Sequence, residues 1–153
     1  YGLRIEGRNL GPNVKDAVAT VPVIGKHDHT MESVSITGIK DPEGDPFEVV
    51  ITGVTQDEPV LGLGPGDKSP DAIGVGGSSV WLRGERDEGT SDKPGNGRVY
   101  WVAFRATDAL GAISTGKVKV QVPLTIKTTD VAIEDKDHYD STKDLFRNMA
   151  KAE

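Results

Sequence analysis

Two β-branched segments on either side of an acidic turn most strongly limit what this chain can form. The segments, residues 34–39 and 47–54, alternate apolar and polar side chains at a period close to two. The turn between them, residues 41–46, holds two prolines, one glycine and three carboxylates. This pattern predicts two antiparallel strands joined by an acidic loop.

The same alternation predicts further strands. Residues 99–107 place Tyr100, Val102, Phe104 and Ala106 on one face, which must point to the core. Residues 113–122 alternate valines with Lys117, Lys119 and Gln121, residues 79–83 set Trp81 opposite Val80 and Leu82, and Pro22 limits residues 18–24 to an edge strand. Nineteen glycines and nine prolines supply turns between short strands. The sequence therefore predicts an all-β fold.

Composition changes at both ends of the predicted fold. We expect an N-terminal arm at residues 1–17, one β-sandwich domain at residues 18–123, and a C-terminal extension at residues 124–153. The extension has a candidate strand at 125–133 and a candidate amphipathic helix at 140–152, capped by Asp140 or Ser141. A first residue of Tyr1 instead of Met predicts a processed product or an excised piece.

Net charge and the lack of cysteine exclude several functions. The formal charge is −6 and no basic patch is evident, which argues against binding to nucleic acid or to an anionic membrane surface. Without cysteine the chain has no disulfide, no thiolate metal site and no cysteine nucleophile. The sequence contains no run of eighteen apolar residues, so we predict no membrane-spanning helix.

A first group of acids is expected at one end of the sandwich. In an immunoglobulin-like sandwich the turn between the second and third strands and the turn between the last two lie at the same end. This places Asp108 beside Asp41, Glu43 and Asp45, and four carboxylates suit a Ca2+ ion, which takes six to eight oxygens. The alternative is that Asp-Pro and Gly-Asp-Pro simply form good turns.

A second group of acids is expected at the opposite end, in long polar loops. It contains Asp57, Glu58, Asp67, Asp71 and Glu85. These residues are candidate ligands of one or more further Ca2+ ions. The alternative is that Arg83 and Arg86 pair with these acids and hold the loops without metal.

The sequence gives less support for an EF-hand, for a zinc or copper site, or for an enzyme. Neither acidic group has the glycine and glutamate positions of an EF-hand, and His27 and His29 have only Glu32 nearby as a third ligand for zinc or copper. No nucleophile elbow or phosphate-binding glycine loop is present, so we predict no enzymatic activity. Trp81 and Trp101 both lie opposite the core-facing sets, where either could stack on a sugar.

Several segments together resemble a known family. They include Gln56-Asp57-Glu58-Pro59-Val60, Asn96-Gly97-Arg98-Val99-Tyr100, and residues 36–46, 66–72, 82–86 and 106–111. Over about residues 20–123 the chain resembles a bacterial and archaeal surface module, immunoglobulin-like and related to cadherin-like repeats. The resemblance implies an immunoglobulin-like β-sandwich in a secreted or cell-surface protein, with calcium.

The combined prediction is a calcium-stabilised structural or adhesive subunit of an extracellular or cell-surface assembly. Its partners would be other copies or neighbouring surface domains, and residues 1–10 or 125–133 could join copies into a filament by strand addition. The alternative is a polysaccharide-binding module of a secreted multidomain hydrolase, with Trp81 or Trp101 as the platform.

Overall fold

A computed structural model describes residues 8–125 and 131–144, which form eight strands. The strands are β1 (Val18–Ala19), β2 (Met31–Thr37), β3 (Phe47–Gln56), β4 (Ala72–Ile73), β5 (Ser79–Arg83), β6 (Arg98–Asp108), β7 (Ile113–Val122) and β8 (Tyr139–Asp140). The described residues contain no helix.

The strands form two four-stranded antiparallel sheets. One sheet has the order β1-β2-β5-β4 and the other β7-β6-β3-β8. The first seven strands follow the order of an immunoglobulin-type sandwich, with A, B, E and D in one sheet and C, F and G in the other. The prediction of an all-β sandwich is confirmed, and β8 extends the second sheet beyond β3.

Side chains from both sheets meet in one core, as the alternation predicts. Tyr100, Val102, Phe104 and Ala106 of β6 are buried. From the other strands the buried residues include Val34, Ile51, Val54, Val80, Leu82, Val118, Val120 and Val122. Gly116 of β7 fits closely against this core, because a Cβ at that position would lie 2.8 Å from Cζ of Phe104.

The described part of the C-terminal extension differs from the prediction. Tyr139 and Asp140 pair with Gln56 and Thr55 of β3, and Ser141 follows in a turn, so no helix begins at Asp140 or Ser141. Local hydrogen bonds explain the turn, since the Asp140 carboxylate accepts bonds from the N–H and hydroxyl of Thr142. The rest of the predicted helix, and residues 126–130 of the predicted strand, lie outside the described residues.

Ser141 connects the two sheets through its backbone. Its N–H donates to the carbonyl of Val54 in β3 (3.1 Å), and its carbonyl accepts from the N–H groups of Asp71 and Ala72 at β4 (2.9 Å each). Ser141 is fully buried. The end of the described chain therefore forms part of the sandwich.

The described part of the N-terminal arm also packs on the sandwich. Asn13 and Lys40 exchange backbone hydrogen bonds, with N···O distances of 2.6 and 3.2 Å. Val14 and Ala17 contact the hydrophobic core. The chain thus reaches β1 across the end of the molecule that carries the β2–β3 turn.

Candidate functional site

The structure brings the β2–β3 and β6–β7 turns together at one end, here called the acidic tip. Phe47 pairs with Asp108 at the ends of β3 and β6, and the N–H of Ala109 donates to the carbonyl of Pro46 (2.9 Å). The tip comprises Asp41, Glu43, Asp45 and Asp108, together with Asn9 and Leu10 that contact them.

Three of the four predicted acids of the tip face a common point. Asp41, Glu43 and Asp45 each offer a carboxylate oxygen, and these oxygens lie within 4.8 Å of one another. Among the described residues this is the one group of three or more acidic or histidine side chains whose ligand atoms lie this close together. Carboxylate oxygens are the ligands that Ca2+ prefers in proteins.

Asp108 is held by its own turn and by Asn9. One carboxylate oxygen accepts the N–H groups of Leu110 and Ala112 (2.9 Å each), and the other accepts Nδ2 of Asn9 (2.7 Å). Partial desolvation raises the pKa of Asp108, but these hydrogen bonds, led by that from Asn9, outweigh it and lower the pKa. Asp108 therefore stabilises the β6–β7 turn and holds Asn9, and it lies beside the three-carboxylate group.

Two oxygens at the tip are shielded from solvent and accept no hydrogen bond. Oδ1 of Asp41 accepts the N–H groups of Glu43 (3.0 Å) and Asp45 (3.1 Å), but its Oδ2 has no donor. Oδ1 of Asn9 is in the same state. Leu10 donates its N–H to Glu43 (3.1 Å), which holds the N-terminal segment at the tip. The free amide oxygen of Asn9 therefore lies at this end of the molecule.

The opposite end is organised around a buried arginine, in what we call the Arg98 cluster. Arg98 is fully buried, with Nε 2.8 Å from Glu58 and Nη1 2.9 Å from Asp71. Its Nη2 lies 3.7 Å from Glu85, and Nη1 also donates to the hydroxyl of Tyr100 (3.1 Å). Three of the five acids predicted to bind calcium here are instead arranged around a guanidinium.

The other two acids of the second group bind backbone groups. Asp57 accepts the N–H of Val99 (2.8 Å) on one oxygen and that of Asp135 (3.0 Å) on the other. Asp67 accepts the N–H of Leu63 (2.8 Å). Both carboxylates thus hold the surrounding chain in place.

The predicted alternative of arginine pairing is met by Arg83 but not by Arg86. Nε of Arg83 lies 3.4 Å from Asp71, while its two terminal nitrogens donate to the carbonyls of His29 and Pro70. Arg86 pairs with Glu88 and donates to the carbonyl of Leu124. Arg98, which has the central role, was missed, although it shares the core-facing alternation of Tyr100 and Phe104.

Burial raises the pKa of every acid in the Arg98 cluster. Desolvation is the largest cause for Glu58 and Asp71, and the nearby charge of Arg98 opposes it. The pKa of Glu85 rises to about 8, first through desolvation, then through a hydrogen bond with Asp67 and the charge of Asp71.

The two candidate histidines do not form a metal-ligand group with other described residues. Nδ1 of His29 lies 2.6 Å from Glu85, so this imidazole belongs to the rim of the Arg98 cluster. His27 is exposed. Both histidines line a cavity of about 260 Å³ together with Asp67, Glu85 and Glu88.

A larger cleft, of about 810 Å³, opens beside the Arg98 cluster. Its lining includes the carboxylates of Asp57, Asp87, Asp135 and Asp137. Asp87 accepts the N–H of Gly89 (2.8 Å), and Asp135 accepts Nδ2 of Asn96 (2.9 Å). The bond between Asn96 and Asp135, with that from the N–H of Asp135 to Asp57, connects the loops beside the cleft to the C-terminal segment.

The two tryptophans differ in their surroundings. Nε1 of Trp101 donates to Glu134 (2.6 Å), and Nζ of Lys117 and Nζ of Lys119 lie 4.5 and 5.5 Å from its ring centre. Trp81 is 49% exposed, and its indole has no hydrogen bond or cation–π contact within the described residues. Of the two predicted sugar platforms, Trp81 alone presents an open ring.

Comparison with protein-family models, with curated proteins and with solved structures found no match. No helix in the described ranges is long and apolar enough to cross a membrane.

Proposed function

We propose that this protein is a calcium-stabilised structural or adhesive subunit of an extracellular or cell-surface assembly. The observation that carries the proposal is the acidic tip, where three carboxylate oxygens lie within 4.8 Å of one another. Charges this close repel each other by about 1 kcal/mol per pair in water and more in a partly buried site. A bound Ca2+ ion removes that repulsion within the β2–β3 turn.

The ligand set that we propose contains Asp41, Glu43 and Asp45, with Asn9 as a fourth. The donor-free oxygens of Asp41 and Asn9 support this choice, because buried polar atoms normally have a partner. Backbone carbonyls and water would complete the shell of six to eight oxygens. Asn9 links the ion to the N-terminal segment, so binding would also fix the direction in which that segment leaves the domain.

The Arg98 cluster supports a mechanical function at the other end. It connects β6 with three separate segments through Glu58, Asp71 and Glu85, in a chain without cysteine. Covalent crosslinks are thus replaced by buried charge pairs. A module stiffened at both ends suits a load-bearing or adhesive subunit.

The open edge of β7 is the surface that we propose for assembly. Gln121 points its backbone N–H and carbonyl away from β6, where they bond to Pro22 and Ile24. By the alternation of an antiparallel pair, Thr115, Lys117 and Lys119 point the same way, and no strand in the described part of the chain pairs with them. An extended segment of a second copy could add there as a further strand.

The N-terminal residues are the better candidate donor for that strand. At the C-terminal end, Ala132 and Ile133 already donate their N–H groups to Gln121 and Asn96 of their own domain. Residues 1–7 lie outside the described structure, and Leu3 and Ile5 alternate with Arg4 and Glu6 as in a strand. The chain leaves the tip next to β7, since a Cβ on Gly11 would lie 2.7 Å from Oγ of Ser114.

Thermal melting and particle sizing test the proposal together. Calcium should raise the melting temperature of the wild-type protein over that in chelator, and Asp45→Asn, which keeps the side-chain shape, should remove the difference. Asp92→Asn, an exposed acid outside the tip, is the matched control. Equal melting temperatures with calcium and chelator would contradict calcium binding.

For assembly, deletion of residues 1–7 leaves Asn9 in place, and Lys117→Pro removes one outward N–H of β7. Each change should convert larger particles to monomers that retain the β-sheet circular dichroism of the wild type. Assembly that survives both changes, or a wild-type protein that is monomeric at high concentration with calcium, would rule out strand addition at this edge.

A further inference from the structure

Five neighbouring positions on the outer face of the β1-β2-β5-β4 sheet carry no charge. Trp81 of β5 lies between its cross-strand neighbours Ser33 of β2 and Ile73 of β4. The next row on this face pairs Ser35 with Ser79. Charged residues make up 27% of the chain, yet none of these five positions carries a charge.

These side chains point outward because their neighbours along the strands fill the core. Val34, Val80 and Leu82 are fully buried, and the alternation of a strand turns Ser33, Ser79 and Trp81 to the opposite face. Strand β5 is flanked by β2 and β4, so the indole of Trp81 lies over the interior of the sheet and not at an edge.

The solvent exposure of Trp81 is unusual for a tryptophan side chain. A large aromatic side chain normally buries most of its surface and finds a partner for its N–H. Trp101, on the outer face of the other sheet, follows this rule through Glu134, Lys117 and Lys119. Trp81 is 49% exposed and its neighbour Ile73 is 48% exposed, so an apolar surface about two side chains wide remains beside three hydroxyl groups.

We infer that this face binds a neutral polysaccharide, with one pyranose ring stacked on the indole of Trp81. The C–H face of a pyranose is apolar and packs on an aromatic ring, while its hydroxyl groups both donate and accept hydrogen bonds. Ser33, Ser35 and Ser79 can match them, since a serine hydroxyl does both as well. The absence of charge favours a neutral ligand over an anionic or cationic polymer, which would be recognised by opposite charges.

Sugar binding at this face does not depend on calcium or on assembly. The acidic tip lies beyond the ends of β3 and β6, and the open edge of β7 belongs to the other sheet. Sugar binding through Trp81 should therefore persist in chelator and in the assembly variant Lys117→Pro. Loss of calcium binding or of assembly would leave this inference unaffected.

Native gels that contain a soluble polysaccharide test the inference directly. The neutral probes are hydroxyethyl cellulose, xylan and galactomannan, and alginate is the anionic comparison. The full chain should be retarded in the gel by at least one neutral probe. In a parallel pull-down on insoluble polymer, the protein should remain bound in about 1 M salt. Trp81→Ala should weaken retention about tenfold or more, whereas Trp81→Tyr should keep much of it.

Leu110→Ala is the matched control, because Leu110 is an exposed apolar residue far from this face, in the β6–β7 turn. It should bind like the wild type. Circular dichroism and melting of Trp81→Ala should be unchanged, which separates lost binding from lost folding. No retention on any neutral probe, retention on alginate alone, or equal retention by Trp81→Ala would each overturn the inference.

Discussion

Arg98 and Asp71 form an ion pair of 2.9 Å in which neither side chain is exposed to solvent. Removing water from two charges is unfavourable, and such a pair is stable only when further hydrogen bonds satisfy both groups. Glu58 and Tyr100 supply such bonds to Arg98, and Gln56 supplies one of 2.7 Å to Asp71, while Nη2 of Arg98 and Oδ1 of Asp71 have no hydrogen-bond partner. The pair is thus the centre of a network that ties β6 to the loop before β4.

Replacing Arg98 by methionine should strongly destabilise the protein. The change keeps much of the side-chain volume but leaves Glu58 and Asp71 buried without a cation, and breaking a buried pair costs about 3–5 kcal/mol. Urea unfolding at pH 7 measures the loss. Arg105→Met, at an exposed position of the same strand, should stay within about 0.5 kcal/mol of the wild type.

Part of the loss in Arg98→Met should be recovered as the pH is lowered, because Glu58, Asp71 and Glu85 have raised pKa values and a protonated acid needs no cation. A loss below about 1 kcal/mol at pH 7 would mean that the acids do not depend on Arg98.

Stability should fall as the pH rises from about 5 to 8. Folding raises the pKa of Glu85 from 4.5 to about 8, so between these values the folded state binds more protons than the unfolded state. By linkage the free energy of unfolding then decreases with rising pH, and the decrease ends above the folded pKa. The raised pKa values of Glu58 and Asp71 act in the same direction.

Glu85→Gln should flatten this pH profile, because the amide resembles the protonated acid and has no charge to desolvate. Glu48→Gln, at an exposed position of β3, should leave the profile as in the wild type. Melting temperatures between pH 4.5 and 9 provide the comparison, and profiles of Glu85→Gln and wild type that run parallel would show that Glu85 is not the responsible group.

Gly116→Ala should destabilise the core by overpacking. The added Cβ would lie 2.8 Å from Cζ of Phe104, whose ring is held on all sides by the sandwich, and overpacking of this kind costs about 1–3 kcal/mol. Gly53→Ala is the control, because no atom lies within 4 Å of a Cβ there. If both variants unfold at the same urea concentration, the close fit of Gly116 is not important for stability.

Asp57→Asn should release the C-terminal segment from the sheet. Asp57 accepts a backbone N–H on each oxygen, and an amide can accept only one of them while its NH2 group faces the other. An unsatisfied buried group costs about 1–3 kcal/mol. Since Glu134 next to Asp135 covers the indole nitrogen of Trp101, the fluorescence of Trp101 should also shift.

Asp87→Asn is the matched change for this experiment, because Asp87 binds only the nearby N–H of Gly89 within the described hydrogen bonds of its side chain. It should alter neither the fluorescence nor the midpoint of unfolding. An Asp57→Asn protein with the wild-type spectrum would mean that the segment is held by its other contacts.

The strands were predictable because alternation is a local property that each segment carries by itself. The alternation of apolar side chains identifies the buried face of Tyr100 to Ala106 and of Val118 to Val122, and the pairing strand need not be known. The acidic tip was also predictable, since its three carboxylates lie within five residues and the paired turns follow from the sandwich topology.

The sequence predicted the acids of the Arg98 cluster but not the arginine. The density of acids at residues 57–85 was clear, but the cation that meets them lies on a strand up to 40 residues away, and pairing at such distance depends on the fold. The path of residues 131–144 was not predictable either, because it is held by isolated backbone bonds, such as those of Ser141, that leave no periodic pattern.

The position of Ser141 has a consequence for biosynthesis. A polypeptide emerges from the ribosome with its first residues leading, and domains tend to fold as units when enough chain has appeared. Because the peptide groups of residue 141 fasten β3 to β4, this link between the two sheets forms only after residue 141 has been translated. A chaperone that binds the nascent chain can therefore act before this link between the two sheets exists.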